Sequence, residues 1–474
     1  MGSFLSVANT DLSSEEGSGN GMKYCVGEIQ GWRRNMEDAH LAALDLKGVP
    51  GGENMSMFGV FDGHGGKEVA KFVQIKFIRE YLKSKGFREG NFADALRETF
   101  HRIDDMLENE KYDAVLQTLK SLPNPSDVRK AQENGEQLAN AHFDATSSEY
   151  DSDDDDELMT NKSALTKKNK GKKKMTKLEV IKLFKQLIEK ETNGGNTLEN
   201  TDDDDIDEDD DDDEDEGEES TSQVSKSAKG QAEWDAYYLN NTRIPGDRPR
   251  PSLQIGPASE NHPSGPVCTL RDHRVQAGCT SVVVFKLENT LYCANAGDSR
   301  AVLCRGDGIV HALSEDHKPS SVIESSRIEK AGGFVNVNGR INGNLNLSRS
   351  IGDMKYKQVP NLMPSDQMIT AEPDITKTEL SVHDKYIVIA CDGVWDVFSN
   401  QEICDFISAR LYPSWPLPQG IKAPIDETTG KRRTEPMDLK TINKEVFDHC
   451  ITDDPKRTSG IGADNMTCMI ILFS

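Results

Sequence analysis

Phe58-Gly59-Val60-Phe61-Asp62-Gly63-His64-Gly65-Gly66 carries a short apolar run into an aspartate and a histidine set among glycines. The run reads as a buried strand, and the glycines leave the backbone free to approach whatever the carboxylate holds. A carboxylate with carbonyls beside it suits a hard divalent cation. Asp-Gly alone would mean no more than a strand ending in a turn. The setting recurs, however, at Asn295-Ala296-Gly297-Asp298, at Ile389-Ala390-Cys391-Asp392-Gly393 and at Gly462-Ala463-Asp464-Asn465-Met466. Each stretch puts an aspartate at the edge of an apolar run, so the chain gathers carboxylates at one end of a sheet.

Outward from Asp62, Ser56–Asp62 reads as a buried strand. Lys67–Tyr81 repeats Val69, Phe72, Val73, Phe77, Ile78 and Tyr81 at helical spacing, and Asn91–Glu108 forms a second amphipathic stretch. Further along, Thr280–Leu287, Leu291–Ala296 and Ala301–Arg305 are separated by Asn289-Thr290, Gly297-Asp298 and Gly306-Asp307-Gly308, a hairpin pattern. Glu324–Ala331 and Gln401–Leu411 read as helices, Lys385–Cys391 and Met466–Phe473 as buried strands. Antiparallel strands with separate helices make an α+β fold.

The 474 residues carry a formal charge of −25, and two runs, Asp151–Glu157 and Asp202–Glu219, hold 6 and 16 carboxylates of it. The acidity therefore belongs to a segment and not to the folded surface. Residues 119–267, polar and rich in Pro, Gly and Ser, cannot bury enough apolar surface to offset ordering entropy and are expected to be largely disordered. Within them Lys177–Lys190 places Leu178, Ile181, Phe184, Leu187 and Ile188 on one helical face, after lysines 167, 168, 170, 172, 173 and 174. A basic amphipathic helix docks on a partner, a membrane or its acidic neighbour, or stays solvated in a tail, and the sequence leaves these open. Tyr412–Pro436, Pro-rich and basic at Lys431-Arg432-Arg433, reads as an exposed loop. Nine cysteines without Cys-x-x-Cys spacing read as reduced core thiols, with neither a zinc site nor a disulfide framework expected. No apolar run approaches the ~20 residues that span a bilayer.

The four aspartate stretches stand with Gln30-Gly31-Trp32-Arg33, Met36-Glu37-Asp38, Asn346-Leu347-Ser348-Arg349-Ser350-Ile351-Gly352-Asp353 and Asp392-Gly393-Val394-Trp395-Asp396. This ordered set closely resembles the metal-dependent serine/threonine protein phosphatases, type 2C or PPM. The resemblance divides the chain into an N-terminal segment 1–21, a first catalytic part 22–118, the insert 119–267 and a second catalytic part 268–474. Within the family, Met1-Gly2-Ser3-Phe4-Leu5-Ser6, the run from Gly339 to Leu347 and the acidic insert look most like the gamma isoform. The family fold implied is two antiparallel β-sheets packed as a sandwich flanked by helices, with a metal centre at one end.

What the resemblance implies for the site follows residue by residue. Two Mg²⁺ or Mn²⁺ ions are held, since oxygen-only ligands argue against zinc, and in two-metal hydrolases such ions sit about 3.5–4 Å apart across a shared ligand. Asp62 is that bridge. The Gly63 carbonyl and, through water, Glu37 serve one ion, Asp392 and Asp464 the other. Asp38 stands behind the ligands, and Asp298 and Asp396 match residues of a weaker third ion, a structural role for either being the alternative. Arg33 matches the residue that binds the substrate phosphate, its planar fork suiting two oxygens at once. His64 matches the general acid for the leaving group, with a hydrogen-bonded structural histidine as the other reading. Arg349 pins the loop leading into Asp353–Gln367, a candidate substrate flap. The reaction implied is hydrolysis of phosphoserine and phosphothreonine by attack of a water or hydroxide held by the two ions, without a phosphoenzyme.

Two rivals belong to other classes. One is a binding protein whose acidic insert captures basic clients on a vestigial phosphatase fold, which the intact Asp62, Asp392 and Asp464 oppose. The other is a metal-dependent nuclease, which the acidic balance opposes. The expected partners are phosphorylated proteins, basic ones drawn by the insert, and no nucleic acid; a monomer is expected. Met-Gly-x-x-x-Ser fits the N-myristoylation pattern at Gly2. One acyl chain binds membranes only marginally, so the lysine cluster would have to serve as second signal; the same cluster also fits a nuclear localisation signal. The expected location is cytoplasmic and membrane-associated through Gly2, with nuclear as the alternative.

Overall fold

A computed structural model describes residues 4–124, 127 and 270–473, apart from 47, 48, 50, 417–422 and 426–429. The acidic runs, the Lys177–Lys190 helix and Gly2 lie outside the described residues. All of the latter belong to one unit of the chain; the second unit, Asn196–Ser252, also lies outside them.

The strands are β1 (Ser13–Gly19), β2 (Met22–Ile29), β3 (Ala39–Ala43), β4 (Met55–His64), β5 (Gly278–Leu287) and β6 (Thr290–Ala296). They continue with β7 (Arg300–Arg305), β8 (Val310–Ala312), β9 (Ile351–Gly352), β10 (Asp374–Glu379), β11 (Asp384–Ala390) and β12 (Met466–Phe473). One antiparallel sheet runs β1-β2-β12-β11-β7-β8, the other β10-β6-β5-β4-β3 with β9 on β5. The helices are α1 (Glu68–Lys83), α2 (Lys85–Arg88), α3 (Phe92–Glu108), α4 (Asp113–Lys120), α5 (Val322–Lys330), α6 (Asp392–Trp395), α7 (Asn400–Leu411) and α8 (Leu439–Cys450).

Alternation along each strand explains the layers. On β4, Phe58 and Val60 meet Val282 on β5 and Ile387, Ile389, Met469 and Ile471 from the facing sheet. Met57 and Phe61 turn the other way, onto Val69, Phe72, Val73 and Phe77 of α1 and Phe100 of α3. The first sheet likewise places Val388, Ala390, Cys468 and Ile470 against Ile403 and Ile407 of α7 and Val446 of α8. Strands covered on both faces need continuous apolar sequence, which is why they stood out. The α+β sandwich flanked by helices is the architecture seen.

Three features differ from the sequence reading. The polar start includes β1, whose Ser-Ser-Glu-Glu-Gly-Ser-Gly pairs with β2 from Ser13↔Glu28 to Gly19↔Met22. An edge strand needs only backbone hydrogen bonds on one side and tolerates charge, so it has no apolar signature. Cys304 and Cys404, expected as free thiols, are joined in a disulfide between β7 and α7, with Cα atoms 6.1 Å apart; Cys25, Cys279, Cys293, Cys391, Cys450 and Cys468 are buried and free. A pair one hundred residues apart has no spacing to betray it. Finally, α4 runs to Lys120, and Leu119 and Leu122 are buried, so packed chain continues past residue 118.

Candidate active site

The carboxylates arrive from the ends of strands that are antiparallel and therefore share one edge. Asp62 stands near the end of β4, opposite Thr280 of β5. Asp38 immediately precedes β3, Asp298 follows β6, Asp392 follows β11 and opens α6, and Asp464 lies two residues before β12. Asp62, Glu37, Asp392 and Asp464 are partly exposed, whereas Asp38 and Asp298 are buried behind them. Among the described residues no three His, Cys, Asp or Glu side chains are grouped as a ready-made metal site.

Their electrostatics are those of an anion cluster short of cations. Burial, then the charges of Asp392, Asp38, Asp464 and Asp298, push Asp62 well above the usual carboxylate range. Burial and the charges of Asp298, Asp464 and Asp396 do the same to Asp392. Asp464 is raised by burial in spite of Arg33, and Asp396 by burial in spite of Lys318. Asp38 is lifted to about 7 by burial, against the Thr467 hydroxyl that donates to its Oδ2 at 2.7 Å. Its Oδ1 is buried without a hydrogen-bond partner. Two cations are at hand: Lys318 Nζ donates to Asp298 Oδ2 at 2.6 Å, and the Arg33 guanidinium pairs with Asp464.

Mutually destabilised carboxylates, an orphaned buried oxygen and an oxygen-only donor set fit hard divalent cations of the Mg²⁺ or Mn²⁺ kind. Gly63 lies so close to the Glu37 carbonyl that a Cβ there would sit 2.3 Å from it, so only glycine brings the two chains together.

Arg33 is half-exposed on its loop, and its partner in this structure is Asp464, one of the expected ligands. His64 Nε2 meets Asp353 Oδ2 at 2.7 Å. Burial disfavours the charged imidazole, but the Asp353 carboxylate outweighs it and raises the His64 pKa. Arg349 takes the pinning role: it pairs with Glu324 and Asp374 at 2.8 Å and donates to the Glu372 carbonyl at 3.0 Å. Below it, Lys357 donates to Asp104 at 2.7 Å and to the Ser350 carbonyl at 2.8 Å, fastening the root of the Asp353–Gln367 segment.

The sequence reading missed two residues of this neighbourhood. Asp353 was visible only as a motif residue, since nothing links it to His64 along the chain. Asn465 was visible only as the neighbour of Asp464. Its Oδ1 accepts the Glu37 N–H at 2.9 Å, and its Nδ2 donates to the carbonyls of Gln30 and Asn35 at 2.8 and 2.9 Å.

Comparison with known proteins shows the family. The family profile described as Protein phosphatase 2C matches residues 22–121 and 256–452, more than half of the chain. The chain belongs to the protein phosphatase 2C family. It is thus a metal-dependent protein serine/threonine phosphatase, and the profile match ends short of Asp464 and Asn465. Relatives cover that end: the chain is 31% identical over 99% of its length to Probable protein phosphatase 2C 4 of Paramecium tetraurelia, spanning 98% of that protein. It is 31% identical over its full length to Probable protein phosphatase 2C 11 of Oryza sativa subsp. japonica, spanning 91% of that one. Among solved structures, serine-threonine phosphatase 2C from Toxoplasma gondii is similar at 14% identity and a TM-score of 0.44, over 99% of this phosphatase and 98% of that one.

Proposed function

We propose that this 2C phosphatase hydrolyses phosphoserine and phosphothreonine at the carboxylate edge with two Mg²⁺ or Mn²⁺ ions held by Asp62, the Gly63 carbonyl, Glu37, Asp392 and Asp464. The observation that carries the reading is the acid cluster itself, with Asp62 and Asp392 held far from their usual ionisation and Asp38 Oδ1 unpartnered. When bound, the ions supply positive charge for the phosphate dianion and make water a nucleophile near neutral pH.

The chain's own groups do the rest. Arg33, exposed and paired with Asp464 in this structure, binds two phosphate oxygens and orients the monoester. His64, kept protonated by Asp353, gives its proton to the departing alkoxide as the P–O bond breaks. The products are the free hydroxyl and inorganic phosphate. Asp38 steadies the ligands from behind, and Asp298 and Asp396 hold a weaker third ion, with Lys318 as the competitor for Asp298.

The acidic insert recruits basic phosphoproteins, Gly2 carries myristate, and the protein acts as a cytoplasmic, membrane-associated monomer. With the opening Met1–Ser6 and the Gly339–Leu347 run, the insert supports a gamma-type assignment. Initial rates on a phosphopeptide panel against Mn²⁺, with and without chelator, test the core of the reading: hydrolysis that persists in chelator would refute it. Mass spectrometry of the mature amino terminus in wild type and Gly2→Ala tests the acylation.

A further inference from the structure

The segment 30–37 holds Arg33 and Glu37, and the structure grips it from two sides. From the β12 side, Asn465 binds Gln30, Asn35 and Glu37, as above. From the other side comes Asn124, which belongs to no motif and lies four residues past the end of α4. Asn124 Oδ1 accepts the Met36 N–H at 3.1 Å and the Lys67 ammonium at 3.0 Å, and its Nδ2 donates to the Arg34 carbonyl at 3.4 Å. Lys67 donates a further bond to the Leu122 carbonyl at 2.7 Å.

Asn124 and Lys67 are both buried, at 9% exposure. Burying an ammonium is costly unless its donors are met, and among the described residues the oxygens that meet Lys67 lie on residues 122 and 124. Leu119 and Leu122, buried in the helical core, hold the backbone that presents them. Lys67 is itself the residue before α1, and α1 follows directly from the Asp62–Gly66 turn. The end of α4, the start of α1 and the Arg33–Glu37 loop are therefore tied through one amide side chain.

We propose that Asn124 is a positioning residue of this phosphatase: by holding the Met36 N–H and the Arg34 carbonyl it sets the reach of Arg33 and Glu37, and it couples that reach to the root of the insert. The inference rests on the roles given above to Arg33 and Glu37. Glu37 N–H goes to Asn465 and Met36 N–H to Asn124, so adjacent peptides are pulled by opposite clamps. Removing one clamp frees the segment without touching a group that contacts substrate.

The test uses the full chain with Asn124→Ala, Asn124→Ser and Asn124→Asp. Alanine removes all three bonds. Serine leaves Lys67 a hydroxyl but withdraws the carbonyl from Met36, which guards against an alanine variant that fails to fold. Aspartate keeps both acceptors and loses only the donor to Arg34. A buried N–H left unmet is costly, so KM for a small aryl phosphate should rise about tenfold in the first two variants, with kcat nearly unchanged. Hydrogen exchange of amides 34–37, read by mass spectrometry without turnover, should speed up about tenfold while β4 stays protected. Aspartate, which keeps the acceptor for Met36 but not the donor to Arg34, should restore both in part. Wild-type KM and wild-type exchange at 34–37 in the alanine and serine variants would overturn the proposal, as would equal changes in the aspartate variant. Absence of metal-dependent hydrolysis in the wild type would instead sink the functional reading, and the exchange measurement would still decide the role of Asn124.

Discussion

His64 Nε2 and Asp353 Oδ2 are 2.7 Å apart although 289 residues separate them in the chain. Asp353 is buried and also receives the Ser350 hydroxyl at 2.6 Å. Burial alone would raise its pKa, but His64 and these hydrogen bonds hold it below the usual range. Gly278, the first residue of β5, makes the meeting possible: a Cβ there would lie 2.3 Å from Asp353 Oδ2 and 2.8 Å from His64 Nε2. The pair fixes the ring and favours its charged form, the form in which the proposed general acid would donate.

Asp353→Asn keeps the shape and removes the charge, so His64 should lose its proton at lower pH. kcat on an alkyl phosphate should fall about 100-fold, the low end of the range assigned to general acid–base catalysis, and fall less on an aryl phosphate, whose leaving group needs less protonation. Equal losses on both substrates would show that His64 is not the acid.

Asp62→Asn should abolish turnover at any Mn²⁺ concentration, because an amide cannot supply the negative charge that the proposed pair of cations would share there. Metal should also stabilise the wild type. A carboxyl whose folded pKa is raised binds protons more tightly in the native state, so without metal the stability contributed by Asp62 and Asp392 falls as pH rises above the unfolded value near 4. Added Mn²⁺ should therefore raise Tm more at pH 8 than at pH 5.5, by several degrees where the ion is in large excess of its Kd. A Tm increment independent of pH would contradict cation binding by these acids.

Much of this was legible from residues 58–66 and their three echoes, because a doubly covered sheet writes itself as apolar runs and the carboxylates fall where those runs stop. β4, α1, α3 and β12 lie within about two residues of their expected bounds for that reason. Contacts that join distant segments through single side chains left no periodic trace. Asp353 on His64, Asn124 on Met36 and the Cys304–Cys404 bond are of this kind. β1 was illegible for the opposite reason, having backbone pairing but no apolar face.

A second titration belongs to a histidine on β3. His40, before β4 in the chain and on β3, contacts Glu28 at 2.7 Å and Glu15 at 3.2 Å. Burial opposes its charge, yet the two carboxylates raise its pKa to about 9 from 6.5. The sign is that of a base raised on folding: the contribution is complete below about 6.5 and vanishes as pH climbs through about 9. His40→Gln should lower Tm by roughly 3 °C or more at pH 6 and by little at pH 9.5. A deficit that stays constant across that window would mean the loss is one of packing.

The insert can be removed at two different places, and the outcomes should differ. Deleting residues 128–267 keeps Leu122 and Asn124 and every expected ligand, so activity on a small aryl phosphate should stay within a few-fold of the full chain. Deleting 119–267 also removes Leu119, Leu122 and Asn124, and KM on the same substrate should rise. On basic phosphoproteins both deletions should cost more, since a run of 16 carboxylates concentrates cationic substrate nearby. That advantage should shrink as salt shortens the Debye length from ~10 Å at 0.1 M. Comparing kcat/KM on a basic and a neutral phosphopeptide across a salt series separates recruitment from autoinhibition by the lysine-rich helix, in which deletion would raise both rates. If the ratio of basic to neutral rates is the same with and without the insert at low salt, recruitment by the acidic runs is wrong.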